Sequence, residues 1–199
     1  MGRRSDHSRP ELREMIVAEG HRQITEVGFA RFSAREVAKR VGYSIGTIYN
    51  VFGSYDQLIL AINGRTLDMW LAALERRLEG GGGAGENRLR AAIDAYFDFA
   101  VRHRHAWAAL YDFRLPEGEA VPEYYQIKVA AITEVVVREI AAALPEAYRD
   151  HAPGLARSLL ATVHGHCFFT LNGTFDLLGE TDPLAAALER VEDALARYR

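Results

Sequence analysis

The chain has 199 residues, 49% of them hydrophobic, which is sufficient for one large or two small globular domains. No apolar run approaches the length of a membrane span, and no signal-peptide stretch follows the basic N-terminus, so we expect a cytoplasmic protein. The single cysteine, Cys167, excludes an intrachain disulfide, and its apolar sequence neighbours predict a small buried side chain.

The charge is unevenly distributed along the chain. The net charge is −3, but residues 1–56 carry nine Arg or Lys against seven Asp or Glu, whereas the rest carries fifteen against twenty. Arg3, Arg4 and Arg9 precede the first predicted helix, either as an arm that reaches DNA or as an ordinary solvated tail. The acidic total therefore does not exclude a nucleic-acid partner, but tight binding would depend on direct contacts and dimerisation.

The first helical pattern covers residues 11–27, where apolar side chains recur at helical spacing until Gly28. We expect this helix to brace the two that follow. Gly20 lies inside it, and a glycine in the middle of a helix costs about 1 kcal/mol relative to alanine. The pattern thus predicts a helix that is weakened at Gly20 but not interrupted.

Two short helical patterns follow in residues 33–52 and are joined at Gly42. Ser33 and Glu36 have the spacing of a capping box, in which each side chain binds the other residue's backbone N–H group. Gly42 stands where a helix can end in a left-handed conformation, and Ser44 can cap the second helix. The pattern predicts a helix-turn-helix.

The second of these helices has two different faces. Ile45, Ile48, Val51 and Phe52 form an apolar inward side, while the outward side is small or hydrogen-bonding and consists of Gly46, Thr47, Tyr49 and Asn50. A helix that enters a DNA groove needs such a face because it lies close to phosphates and base edges, and an asparagine amide can pair bidentately with adenine. Arg35 on the preceding helix adds a positive charge. The alternative is an ordinary polar surface on a small helical hairpin.

The remainder of the chain predicts further helices. Residues 54–78 form a long helical pattern that begins with a second capping box, and the glycine-rich residues 80–85 predict a flexible loop after it. Helical stripes cover residues 87–102 and 124–144, with a short aromatic segment at 105–113 and a loop at 116–122, and Pro153 and Pro183 open the last two helices. No alternating pattern is long enough for a strand, so the predicted fold class is all-α.

The last helix has apolar residues in alternating steps of four and three, which is typical of a seam between paired helices. This seam lies either within one chain or between two subunits. Aromatic and isolated polar residues in the preceding segments are typical of a ligand pocket in a helix bundle, although aromatics at helical spacing also form plain cores. The candidate ligand-binding residues are Tyr96, Phe99, His103, Trp107, Tyr111, Tyr125, His164, Phe168 and Asn172.

Neither metal binding nor catalysis is predicted. His103 and His105 are two residues apart, as are His164 and His166, which places the rings of each pair about 200° apart around a helix. The sequence also lacks a phosphate-binding glycine loop, a nucleophile elbow and paired carboxylates in an apolar setting. We therefore expect no catalytic residue, metal or cofactor.

Residues 12–62 resemble the N-terminal domain of TetR-family transcriptional regulators. The motif consists of Gly28-Phe29, Ser33, Glu36-Val37-Ala38, Val41-Gly42, Ser44, Gly46-Thr47, Ile48-Tyr49, Phe52 and Leu58. The resemblance implies that the helix after the turn is the recognition helix, with Thr47 and Tyr49 at the DNA backbone and Ile45, Gly46 and Asn50 facing bases. Tyr55 occupies the position at which the family usually has a phosphate-binding lysine. The predicted DNA-binding residues are Arg35, Ser44, Ile45, Gly46, Thr47, Tyr49, Asn50 and Tyr55.

The resemblance also implies an organisation and a function. Residues 1–55 would form the helix-turn-helix DNA-binding domain, and residues 56–199 a helical domain for ligand binding and dimerisation. His164-Gly165 resembles the motif of a C-terminal subclass named for Trp, His and Gly. The expected protein is a homodimeric regulator of a near-palindromic operator, a repressor released by a small hydrophobic or aromatic ligand. The alternatives are an activator, or a helix-bundle binding protein that does not use its DNA-binding fold.

Overall fold

The computed structural model describes residues 7–80 and 85–199. Over these ranges the chain forms ten α-helices and two short 3-10 helices, with no β-strand. The α-helices are α1 (Arg9–Val27), α2 (Ala34–Val41), α3 (Ile45–Phe52), α4 (Tyr55–Gly80), α5 (Glu86–Arg102), α6 (Arg104–Asp112), α7 (Glu123–Ala143), α8 (Ala152–Leu171), α9 (Thr174–Leu178) and α10 (Pro183–Ala196). The prediction of an all-α fold is confirmed.

Most helix boundaries follow the capping signals of the sequence, although two features were not predicted. The short helix α9 has a glycine at each end, and a 3-10 helix, Glu146–His151, leads into α8. Helix α4 ends at Gly80, and residues 81–84 of the predicted flexible loop lie outside the described residues, as do Arg3 and Arg4 of the N-terminal arm. None of the helices in the described ranges combines the length and apolarity needed to cross a bilayer.

The chain divides into two compact units. The first unit contains the described residues up to Met69 together with His103–Lys128, and the second contains Trp70–Arg102 and Val129–Arg199. The division falls inside α4 and α7, so each of these helices contributes to both units. The domain boundary predicted between residues 55 and 56 falls at the start of α4, and the separation into a DNA-binding and a ligand-binding domain there stays a prediction.

The core of the first unit is built from α1, α2, α3, α6 and the first part of α4. Its fully buried side chains include Ile16, Val37, Ile48 and Ile62. A Cβ atom on Gly20 would overlap the Ile62 side chain, so the glycine allows α1 and α4 to approach closely. The sequence predicted only the cost of Gly20 to α1 and missed this packing role.

In the second unit α8 packs against α10 and α5. Leu188, Val191 and Leu195 of α10 are buried within the single chain, so this part of the apolar seam is intrachain. The prediction that Cys167 is buried is confirmed, and burial raises the pKa of its thiol to about 12.

A buried ion pair joins α5 to α7 in the same unit. Arg88 donates hydrogen bonds to both carboxylate oxygens of Glu139 at 2.8 and 3.0 Å, and to the Leu78 carbonyl at 2.8 Å. The guanidinium lowers the pKa of the Glu139 carboxyl below its usual value. Glu139 is only 2% exposed, so this pairing is what allows a carboxylate to remain ionised there.

Candidate nucleic-acid interface and ligand cavity

The helix-turn-helix is held in shape by local capping. The Ser33 hydroxyl accepts a hydrogen bond from the Glu36 N–H, and Gly42 ends α2 with a φ of 80° in the left-handed region. The Ser44 hydroxyl accepts from the Thr47 N–H at 3.1 Å and lies 2.9 Å from the Thr47 hydroxyl. The predicted turn and both predicted N-caps are therefore confirmed.

Only half of the capping box predicted for α2 forms. The Glu36 carboxylate contacts Arg40 at 3.2 Å instead of the Ser33 N–H. That N–H donates to the side-chain oxygen of Gln23 at 2.8 Å, which links the start of α2 to α1. The prediction of a reciprocal box was wrong in this half because a guanidinium one turn away is a stronger partner for a carboxylate than a backbone amide.

Helix α3 presents the outward face that the sequence predicted. Ile48 and Phe52 are buried, whereas Gly46, Tyr49 and Asn50 are exposed, with Tyr49 at 40%. Thr47 is half-buried through its contact with Ser44, and Ile45 is half-buried against the core. The backbone N–H groups at the start of α3 and the exposed side chains of its outer face are available to phosphates and base edges.

The other predicted contact residues lie around this helix. Arg35 is exposed on α2 and makes no hydrogen bond or ion pair within the described part of the chain. Tyr55 at the start of α4 is half-buried, packs against Phe32 with ring centroids 6.1 Å apart, and has a pKa raised by burial. Tyr55 thus helps to close the core at the position where the resembled family has a lysine.

Four residues beside α3 were not predicted as part of its support. Arg9 of α1 donates to the Asn50 carbonyl at 3.3 Å, and the Arg13 guanidinium lies 5.2 Å from the centre of the Phe52 ring. The Tyr43 hydroxyl in the turn is 3.0 Å from a ring nitrogen of His7. Arg9 and Arg13 are four residues apart, and this helical spacing was the available signal.

A single arginine ties α2 to α1. Arg40 contacts Glu19, Glu26 and Glu36, each at 3.2 Å, and these carboxylates raise the pKa of its guanidinium. One guanidinium that bridges two helices has less side-chain entropy to lose per contact than separate pairs would. Arg40 therefore fixes the helix that precedes the turn, a role that the sequence analysis did not assign.

Helix α6 also belongs to the first unit. The Asn63 amide donates to the Ala109 carbonyl at 3.1 Å, and a ring nitrogen of His105 donates to the Thr25 carbonyl at 2.9 Å. Trp107 and Tyr111 pack together with ring centroids 5.0 Å apart. Four of the candidate ligand-binding residues lie in this unit, namely His103, Trp107, Tyr111 and Tyr125.

A cavity of about 60 Å³ lies within the second unit. Its wall is almost entirely carbon and comes from α4, α5, α7, α8 and α10. The lining residues are Trp70, Leu74, Leu89, Ala92, Ile93, Tyr96, Ile132, Val136, Ile140, Leu159, Leu160, Val163 and Val191. An apolar cavity inside a helix bundle is a common form of small-molecule site.

The structure brings two of the candidate ligand-binding residues together at this cavity. Tyr96 lines it, and the Tyr96 hydroxyl lies 2.9 Å from a ring nitrogen of His164. Phe99 does not line the cavity itself, but it packs on Trp70 of the wall, with ring centroids 5.4 Å apart. Burial lowers the pKa of His164, which favours its neutral form.

The remaining two candidates lie outside the cavity wall. Phe168 stacks on His164 but is 43% exposed, and Asn172 accepts hydrogen bonds from Thr174 at the end of α8. The aliphatic residues of the wall were not predicted, because aromatic and polar side chains are the ones whose pattern indicates a ligand pocket in the sequence. In the sequence these aliphatic residues follow an apolar helical stripe, but residues of an ordinary hydrophobic core give the same pattern. Over the described ranges, no group of three or more His, Cys, Asp or Glu side chains has a metal-binding arrangement.

Two family models match the chain. The model described as "Bacterial regulatory proteins, tetR family" matches residues 16–62, which contain the helix-turn-helix. The model described as "Tetracyclin repressor-like, C-terminal domain" matches residues 89–195, which include most of the cavity wall.

Curated relatives and a solved structure agree with this match. The chain is 30% identical over 140 residues to the HTH-type transcriptional regulator BetI of Burkholderia mallei (strain NCTC 10229), covering 68% of this chain and 71% of that protein. It is 30% identical over 89 residues to BetI of Stenotrophomonas maltophilia (strain R551-3), where the match spans 45% of each chain. A protein with unknown function from Rhodococcus sp. RHA1 has the same fold, with a TM-score of 0.74, 23% identity, and coverage of 98% and 99% of the two chains.

The helix-turn-helix and the helical second unit define a DNA-binding transcriptional regulator. The chain belongs to the TetR family.

Proposed function

We propose that the chain is a homodimeric repressor that binds a near-palindromic operator and leaves it when a small apolar molecule occupies the second unit. The observation that carries this proposal is the exposed polar face of α3, which is fixed from below by the buried Ile48 and Phe52. A helix anchored in this way can enter the major groove without losing its packing.

We assign different roles to the residues of this face. Thr47 and Tyr49 offer hydroxyl groups to phosphates and fix the position of the helix on the duplex. Gly46 permits close approach to base edges, and the exposed Asn50 amide reads one base pair. Arg35 and Lys39, both exposed on α2, supply positive charge beside α3. Because α3 itself carries no charged residue, affinity for DNA depends more on the fit of α3 in the groove and on its hydrogen bonds than on overall electrostatic attraction.

Dimerisation is supported by exposed apolar side chains in the second unit. Leu160, Phe168, Phe169, Leu177 and Leu178 on α8 and α9 are between 38% and 89% exposed in the single chain. Large apolar side chains are unfavourable in water, and a second copy of the chain would cover these with the same residues of its own. Two-fold symmetry would place the recognition helices roughly 34–36 Å apart, one turn of DNA.

The cavity supports the effector part of the proposal. A ligand that fills the cavity stabilises the conformation of the second unit in which the cavity wall matches the shape of the ligand. Release from the operator requires that this conformation binds DNA less well, since a ligand shifts only an equilibrium between states that it binds with different affinity. A protein that acts on chromosomal DNA in this way would work in the cytoplasm.

Footprinting on the DNA that flanks its own gene tests the proposal. At moderate salt the protein should protect two half-sites whose centres lie about one DNA turn apart, and sedimentation should show a dimer. A reporter gene under this promoter should become more active when the regulator is deleted, whereas an activator would give the opposite change. The absence of sequence-selective protection would contradict the proposed function.

A further inference from the structure

We infer that the effector is uncharged and mainly hydrocarbon, and that the second unit discriminates strongly against charged molecules of the same shape. This inference rests on the proposed effector role of the cavity. None of the residues that line the cavity carries a formal charge, and most are aliphatic. A charged ligand would lose its hydration there without finding a counter-charge, which is a large penalty.

Several charged residues flank wall residues along the chain, and Glu139 is the one of them that is buried. Arg88 precedes Leu89 of the wall, and Glu139 precedes Ile140. Their side chains bind each other through two hydrogen bonds, and Arg88 also donates to the Leu78 carbonyl. Arg138 contacts Glu139 at 3.3 Å as well, so the buried carboxylate is already balanced, and turning Arg88 to a ligand would break both of its hydrogen bonds to Glu139.

The one hydroxyl group of the wall is also engaged. The Tyr96 oxygen lies 2.9 Å from the Nδ1 atom of His164, and burial favours the neutral imidazole. Tyr96 and Trp70 meet edge to face, with ring centroids 5.4 Å apart, so the wall presents aromatic carbon at this end. An apolar ring suits this surface better than a hydrogen-bonding group does.

The volume limits the ligand further. A water molecule needs about 10–15 Å³ of such space, so a cavity of about 60 Å³ holds roughly four to six groups of that size. A ring of five or six carbon atoms, or a short aliphatic chain, is in this range. Larger effectors would require the surrounding helices to move apart.

Calorimetry with two molecules of equal shape tests the inference on the full chain. Cyclopentane should bind at one site per chain and raise the melting temperature, because a ligand of the folded state stabilises it. Pyrrolidinium, the cationic isostere, should bind at least about 100-fold more weakly at neutral pH. Affinities within tenfold of each other, or no binding of cyclopentane, would overturn the inference.

A pair of variants locates the binding site. Ala92→Leu places three additional carbon atoms at the wall and should weaken cyclopentane binding at least about tenfold. Ala91→Leu is the matched control, since Ala91 is half-buried on the same helix and does not line the cavity. Equal loss in both variants would contradict the placement of the ligand. The preference of the unmodified chain for cyclopentane over pyrrolidinium tests the chemistry even where a variant does not fold.

Operator binding, measured separately, distinguishes this inference from the proposed function. Cyclopentane that binds without releasing the operator would leave the ligand chemistry standing and would contradict the effector role. Release by pyrrolidinium but not by cyclopentane would overturn the inference while the effector role stands.

Discussion

The interiors of the two units differ in chemistry. In the first unit the buried side chains include four polar ones, His21, Gln23, Asn63 and Thr66, whereas the described part of the second unit buries Glu139 in a complete ion pair and encloses an apolar cavity. Within the described residues, His21 Nε2, Asn63 Oδ1 and Thr66 Oγ1 have no hydrogen-bond partner. Unsatisfied polar atoms and empty cavities both cost stability.

This difference shows how each unit can respond to its surroundings. A buried neutral histidine makes the first unit sensitive to protonation, and an apolar cavity makes the second unit sensitive to hydrocarbon ligands. Neither unit is packed for maximum stability, which is common where function requires a change of state. Three sets of variants sharpen the comparison.

The largest effect is expected on DNA binding and only from the first unit. Asn50→Ala should weaken binding to the operator by up to about 100-fold, or about 1–3 kcal/mol, and relax the preference at one base pair, because it removes the amide that we propose pairs with a base. Tyr49→Ala should weaken binding to all sequences alike, since the proposed partners of its hydroxyl are DNA phosphates. Competition gel shifts with operators changed at single positions measure both effects.

The control for these variants lies in the second unit. Asn87 is an exposed asparagine at the start of α5, and Asn87→Ala should leave operator affinity within about twofold. If Asn50→Ala and Tyr49→Ala bind as the unmodified chain does, α3 is not the recognition helix.

The next effect is a pH dependence of stability that arises from His21. Burial, with smaller contributions from Arg65 and His103, lowers the pKa of His21 from 6.5 to about 4. Below pH 6.5 the unfolded chain binds a proton that the folded chain does not accept until the pH nears 4, so the free energy of unfolding falls as the pH falls. The loss between about pH 7.5 and 5 is about 2 kcal/mol from this group.

Urea denaturation of the unmodified chain and of His21→Gln at these two pH values isolates the contribution of His21 to the free energy of unfolding. The variant lacks the titrating group and should lose about 2 kcal/mol less than the unmodified chain over the same interval. The carboxylates titrate in both proteins and cancel in the difference. An identical pH dependence of the two proteins would show that His21 is not held in its neutral form.

The smallest effect distinguishes two helical glycines. Gly20→Ala should lower the free energy of unfolding by about 1 kcal/mol, because the overlap with the fully buried Ile62 outweighs the better helix propensity of alanine. The Cβ atom added by Gly154→Ala in α8 meets no neighbouring atom, so this substitution should raise the free energy of unfolding by up to about 1 kcal/mol. Denaturant midpoints with unchanged slopes measure both. Stabilisation by both substitutions would contradict the close packing of α1 on α4.

The helix-turn-helix could be predicted residue by residue because its signals are local. Gly42 and Ser44 act on their own backbone or on residues three positions away, and the apolar face of α3 repeats within two turns. The Arg40 contacts with Glu19 and Glu26 could not be predicted in the same way. They join residues 14 to 21 positions apart, and their formation depends on how α1 and α2 pack.

The cavity was harder to predict because its wall is assembled from five helices. Tyr96 and Trp107 are close in sequence and aromatic, yet they lie in different units, since α5 ends at Arg102 and the chain enters α6 through His103. Proximity along the chain was therefore a poor guide to the unit to which a residue belongs. Trp70, which forms part of the wall, had no distinguishing pattern, and the ligand-binding role of the other aromatics stays a prediction.

The burial of Cys167 has a practical consequence for measuring motion in this protein. A thiol that is inaccessible and has a pKa of about 12 reacts slowly with alkylating reagents. A cysteine introduced at the exposed Arg22 of α1 would then be the single site that accepts a spin label in each protomer. Pulsed spectroscopy on such labels would give the separation between the two α1 helices of a dimer, with and without a hydrocarbon, and with no need to remove the native cysteine.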